Sequence, residues 1–131
     1  MTANRPALWI VVDDAAEARI YASHPRQLPV LVDQLARDGA DRPGLGSTTA
    51  LAVARDHFAI AIGALLDRGC AARRFDRLAI VMAPRLLGRV RAHLGADALA
   101  AIIATLDRRL NDGPADHIVR RIADARLVAH P

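Results

Sequence analysis

The sequence predicts an α/β fold: a single three-layer domain on a mixed five-stranded sheet, with elements in the order β-β-β-α-β-α-β-α. Three observations carry this. Leu8 to Val12 and Leu78 to Ala83 are continuous apolar runs, the pattern of strands covered on both faces. Between them, after Ser47, apolar residues recur at the helical period. The chain has 131 residues, 53% of them hydrophobic, so it is the size of one ordinary domain and can bury a real core.

The elements follow in order. Residues 1–6 read as a frayed start and 129–131 as a frayed end, leaving one domain over residues 1–131. Leu8 to Val12 is the first strand, broken by Asp13-Asp14-Ala15-Ala16. Ala18, Ile20 and Ala22 then alternate with Arg19 and Tyr21, which predicts a second strand in hairpin with the first. Pro29 to Leu35 is a third strand, and its proline places it at a sheet edge or at a strand start. Arg37 to Gly46 reads as a loop.

Ser47 suits the cap of the following helix. There Leu51, Ala54, Phe58, Ala61 or Ile62, and Leu65 form the inner stripe, with Gly69 at the C′ position. Val53 and Ile60 add a second apolar side, which predicts deep packing. After the strand Leu78 to Ala83, Pro84 fits the first turn of a helix striped by Leu86, Leu87, Val90 and Leu94 and ended by Gly95. Residues 99–110 read two ways. Leu99, Ile102, Ile103, Leu106 and Leu110 have helical spacing, yet Ile102 to Arg108 can be a last strand after a short helical turn. A final helix spans Ala115 to Ala125, with Ile118, Val119 and Ile122 inward.

That order is the order of a ribonuclease-H-like sheet: three antiparallel strands, then two parallel strands reached by right-handed helical crossovers. It favours the strand over the helix at Ile102 to Arg108.

Composition narrows the function classes. No apolar run approaches the roughly 20 residues of a membrane span. Ala7 to Val12 is too short for a secretory signal and lacks a basic flank and a cleavage site. The expectation is a cytoplasmic protein without membrane insertion. Cys70 is the sole cysteine, so no internal disulfide or thiol metal cluster can form. The formal net charge is +4 and all 18 cationic side chains are arginine, a bias that fits a GC-rich coding sequence. These arginines are interleaved with 14 acids, so an ordinary solvated surface competes with a phosphate-binding face.

Several short blocks carry a resemblance. Trp9-Ile10-Val11-Val12-Asp13, Ala18-Arg19-Ile20-Tyr21 and Asp41-Arg42-Pro43-Gly44 come first. Phe58-Ala59 with Leu65-Leu66 follows, then Phe75-Asp76-Arg77-Leu78-Ala79-Ile80-Val81 with Ala83-Pro84-Arg85-Leu86-Leu87-Gly88. Leu106-Asp107-Arg108-Arg109-Leu110 closes the set. In order and spacing they resemble the bacterial family called "protein required for attachment to host cells". That family is similar in turn to the middle domain of archaeal and eukaryotic class-one peptide release factors. In the release factors a Gly-Gly-Gln loop before a long helix reaches the peptidyl-transferase centre. Here Gly44-Leu45-Gly46-Ser47 holds the matching place, with Leu45 for the second glycine and no glutamine after it. The resemblance therefore implies the fold and a translation setting, without the residue that serves peptidyl-tRNA hydrolysis.

The candidate binding residues are Arg42, Gly44, Gly46, Ser47, Arg85 and Arg89. Backbone N–H groups at a glycine-rich helix start can hold phosphate. Arg85 and Arg89, four apart on one helix, can frame an anion at the strand tips, where open α/β sheets bind ligands. No catalytic residue, metal ligand or cofactor is assigned. Asp13 or Asp14, Asp56 and Asp107 are the acids a two-metal nuclease would draw on, but strand four ends without a carboxylate. Asp56 and His57 are adjacent on a helix and point about 100° apart. His24, His93, His117 and His130 lack metal-ligand spacing. The leading expectation is a non-enzymatic protein that binds RNA or a ribosomal component. A hydrolase or nuclease, and a protein-interaction module acting indirectly in attachment, are the alternatives. Association into a homo-oligomer is compatible with each.

Overall fold

A computed structural model describes residues 7–14, 17–36, 48–111 and 113–128; residues 14, 48–55 and 126–128 are described for their backbone only. Five strands form one mixed sheet: β1 (Ala7–Asp14), β2 (Glu17–Ser23), β3 (Val30–Ala36), β4 (Phe75–Met82) and β5 (Ile102–Asp107). Their order across the sheet is β3-β2-β1-β4-β5. The helices are α1 (Thr48–Ala71), α2 (Pro84–Ala92), α3 (Ala96–Ala101) and α4 (Ala115–Val128), with a 3-10 turn at Arg108–Leu110. The domain is thus α/β with the expected element order, α3 being the short helical turn before the last strand.

β1 and β2 form the expected hairpin, with Leu8 opposite Ser23 and Asp13 opposite Ala18. β4 lies parallel to β1 and β5 parallel to β4. Consequently β1, β3, β4 and β5 all finish at one end of the sheet, here called the tip, and start at the other, the foot.

Strand alternation sorts the core into two layers. On one face Trp9, Val11, Ile20, Leu78 and Ile80 meet Phe58, Ile62 and Leu66 of α1 and Val90 of α2. On the other, Leu8, Ile10, Val12 and Val81 meet Ile118, Val119 and Ile122 of α4. Both faces of β1 and β4 are buried, which is why these strands have no polar alternation. Residues 102–107 adopt the strand despite their helical spacing. They pair in parallel with β4, with one register shift after Leu78, and tertiary pairing outweighs a local preference of tenths of a kcal/mol per residue.

Two expectations about α1 are corrected. Gly69 is not its C′ residue. The helix continues to Ala71 and closes in a Schellman motif, with Arg74 N–H on the Gly69 carbonyl (2.9 Å) and Arg73 N–H on Cys70 (3.0 Å). Gly69 answers to packing instead: a Cβ there would stand 2.7 Å from the Trp9 ring. Nor is α1 deeply packed at Ile60, which is 44% exposed, while the Val53 side chain lies outside the described ones. The expected Ser47 cap and the Arg37 to Gly46 loop lie outside the described residues.

Candidate functional site

The tip is where β3 leads toward α1, where β4 delivers α2, and where β5 turns into α4. Pro84 is at the start of α2, so its fixed φ suits the first turn and its missing N–H costs no hydrogen bond. Arg85 follows on that turn, exposed and without an ion-pair partner among the described residues. Arg89, one turn later, is engaged: its Nε lies 3.2 Å from Oδ1 of Asp56 on α1. Of the two predicted arginines on α2, the first is free for a ligand and the second links two helices. Arg42, Gly44, Gly46 and Ser47 lie outside the described residues.

Arg108 has a role that the sequence reading missed. Its Nε donates to the backbone carbonyl of Asp13 at 2.8 Å, Nη1 to the Asn111 carbonyl at 2.6 Å and Nη2 to the Gly113 carbonyl at 3.0 Å. One planar cation thereby gathers the end of β1 and the turn before α4. No spacing rule announces such a contact, because its first partner is 95 positions away. The Leu106-Asp107-Arg108-Arg109-Leu110 block marks the residue without stating its role.

The acids at the tip are committed or apart. Asp107 accepts from the Arg109 backbone N–H and Nε through Oδ1 (2.9 and 3.1 Å), and from Arg109 Nη2 through Oδ2 (2.9 Å). These side-chain and backbone hydrogen bonds hold its carboxyl below the usual aspartate range. Asp13 is on β1, with β4 between it and β5. Two strand spacings amount to roughly 10 Å, whereas paired catalytic ions sit about 4 Å apart. Among the described residues no three His, Cys, Asp or Glu side chains converge as a metal-binding group.

The other weighed groups are dispersed. His57 on α1, His93 in the turn after α2 and His117 on α4 are exposed and apart in the fold, and Asp56 is engaged with Arg89 rather than with His57. Cys70 is half-buried beside Asp97 and Asp67; burial first, then those carboxylates, pushes its thiol up, so it is a poor nucleophile. No helix among the described residues is long and apolar enough to cross a membrane.

Fold and site together define a three-layer α/β domain with its free arginine and its helix entries at the strand tips. The family model named "Bacterial archaeo-eukaryotic release factor family 12" matches residues 33–122, and the chain belongs to that family. The match bears out the release-factor side of the sequence resemblance and carries no host-attachment name. No curated protein matches the sequence. A solved structure described as "Archaeal protein" is similar, with a TM-score of 0.50 at 9% identity, over 92% of this chain and 38% of that one. At that identity the likeness is one of fold, and this chain spans well under half of the similar protein.

Proposed function

We propose that this domain is a non-enzymatic, release-factor-like module that binds RNA of the translation machinery at its strand tips. The observation that carries the reading is Arg85, exposed on the first turn of α2, at the end of the sheet from which β3 leaves toward α1. There the partial positive charge of the α2 N-terminus adds to the guanidinium. Arg42, Gly44, Gly46 and Ser47, which lie between β3 and α1 in sequence, complete the proposed surface. Arg89 contributes at its edge by exchanging Asp56 for phosphate. The departure from Gly-Gly-Gln at Gly44-Leu45-Gly46 supports binding without hydrolysis. In a cell the module acts in the cytoplasm, where its RNA is found.

The test is filter binding of labelled ribosomal RNA across a salt series. Affinity should fall with salt, and Arg85→Gln should make the log–log slope shallower by about 0.7 to 0.9 for the lost phosphate contact. Equal slopes for the two proteins would remove Arg85 from the surface.

A second reading has its own observation. Leu28 and Val30, before and at the start of edge strand β3, are 68% and 60% exposed, and Leu31 is exposed beside them. An apolar open edge accepts a further strand, as a protein-interaction module would. Concentration-dependent sedimentation that Val30→Lys abolishes would favour this reading over RNA binding.

A further inference from the structure

The foot of the sheet holds a second set of arginines. Arg68 lies in the last turn of α1, and Arg73 and Arg74 form the turn that follows it. Arg26 occupies the turn between β2 and β3. All four are exposed, and none pairs with an acid among the described residues. The strands that carry these turns, β2 and β4, flank β1, so the turns lie roughly 10 Å apart across the sheet. The nearby acids are partly occupied: Asp67 Oδ1 accepts the Gly95 N–H at 2.9 Å, and Asp76 lies 3.6 Å from Arg77 Nε. Asp97, on the first turn of α3, is exposed.

Backbone conformation singles out two of these residues. Among the described residues, the only non-glycine positions with positive φ are Arg26 (65°) and Arg73 (58°). Each sits where local geometry favours glycine. Arg26 follows Pro25 in a turn closed by the Gln27 N–H on the His24 carbonyl (3.2 Å), the third position of a type II turn. Arg73 is the C′ residue of the Schellman motif. A purely structural turn is most stable with glycine in both places. An arginine kept in a left-handed conformation twice, at the same end of one molecule, points to the side chain as the reason.

We infer that the foot is a second polyanion-binding surface, built by Arg26, Arg73, Arg74 and Arg68 for the phosphate backbone of an RNA duplex. Guanidinium forks match phosphate oxygens. The aromatic rings at this end, Trp9 and Phe75, are buried, with Arg74 5.4 Å over the Trp9 ring. Bases therefore have no exposed ring to stack on, which selects backbone contact with a duplex over single-strand binding. This surface is distinct from the strand tips and does not depend on them.

The experiment is fluorescence anisotropy of a short labelled RNA duplex of arbitrary sequence across a salt series. The proteins are the full native chain, the Arg26→Gly/Arg73→Gly double variant, and Arg85→Gln. Glycine suits both backbone positions, so the double variant should keep its circular dichroism and melt no lower than the native chain. Its affinity should drop and its log–log salt slope should become shallower by about 1.8, from two lost contacts at about 0.9 each. That result supports the foot whatever Arg85→Gln does. Native-like binding by the double variant overturns the inference, and so does a duplex affinity lost only in Arg85→Gln, which would assign the binding to the tips. Binding to phosphatidylglycerol vesicles with none to the duplex would also overturn it, in favour of a membrane surface.

Discussion

Toward the tip, four arginines are held by partners. Glu17 takes Arg19 at 2.9 Å, Asp56 takes Arg89, Asp107 takes Arg109, and backbone carbonyls take Arg108. At the foot, Arg26, Arg68, Arg73 and Arg74 are exposed, and two of them sit in turns suited to glycine. The residue type is the same at both ends. Geometry divides the roles of these eight: the first four hold strand ends and helices, and the four in or beside the foot turns are displayed. Arg85, on the first turn of α2, is exposed without an ion-pair partner among the described residues, and that is why it carries the proposed function. It also follows that neutralising one of the four held arginines should cost folding, whereas neutralising one in the foot turns should cost only binding.

The largest expected effect comes from Arg108. Arg108→Ala leaves the carbonyls of Asp13, Asn111 and Gly113 without their charged donor. It should destabilise the domain by about 3 kcal/mol in urea unfolding, since hydrogen bonds to charged groups are the stronger ones. A loss below about 0.5 kcal/mol, as for an ordinary surface substitution, would erase the distinction between the two ends.

The next effect tests the packing beneath the foot. Gly69→Ala drives a methyl into the Trp9 ring, whose centroid lies 4.7 Å from that of Phe75. Overpacking of this kind should cost about 2 kcal/mol and shift the fluorescence of the single tryptophan. An unchanged spectrum and midpoint would show that the ring pair yields freely.

Arg73→Gly should have a smaller effect of opposite sign. Relief of the left-handed conformation outweighs the added freedom of the unfolded chain, for a net gain of about 0.5 kcal/mol. A clear loss of stability would mean that Arg73 serves the fold, and the contrast between the ends would weaken.

The smallest effect is a pH dependence at the tip. Arg109 lowers the folded-state carboxyl of Asp107 below its unfolded value. The pair therefore contributes stability above the ordinary aspartate range and loses it as pH falls through the folded value. Arg109 is solvent-exposed and Asp107 only half-buried, so solvent screens the pair and the contribution is slight. Asp107→Asn should flatten the acid limb of stability and leave neutral pH almost unchanged. An effect confined to neutral or alkaline pH would contradict the pairing.

Much of the fold was legible from composition and order. The buried runs at β1 and β4 show both-face burial directly, because parallel central strands have no polar side. Pro29 pointed to an edge position or a strand start, and β3 begins just after it at the sheet edge; Pro84 marked the start of α2. Gly69 was legible as special but for the wrong reason: a helix-ending glycine and a glycine pressed against a ring look alike in one dimension. The candidate site was less legible. Arg85 and Arg89 are equivalent by spacing, and only the approach of Asp56 from another helix separates them. The left-handed conformations of Arg26 and Arg73 have no signature either, since arginine is not the residue that announces them.

By itself the sequence determined the element order, the alternation that splits the core into two layers, and the release-factor family to which the chain belongs. These follow from local periodicity and from blocks in a fixed order. Tertiary structure alone decided that Arg108 grips the end of β1, that Arg89 meets Asp56, and which arginines remain exposed. Each of these depends on groups far apart in the chain being brought within hydrogen-bonding distance. Distance in space is not encoded in spacing along the sequence; it is set when the helices close over the two faces of the sheet.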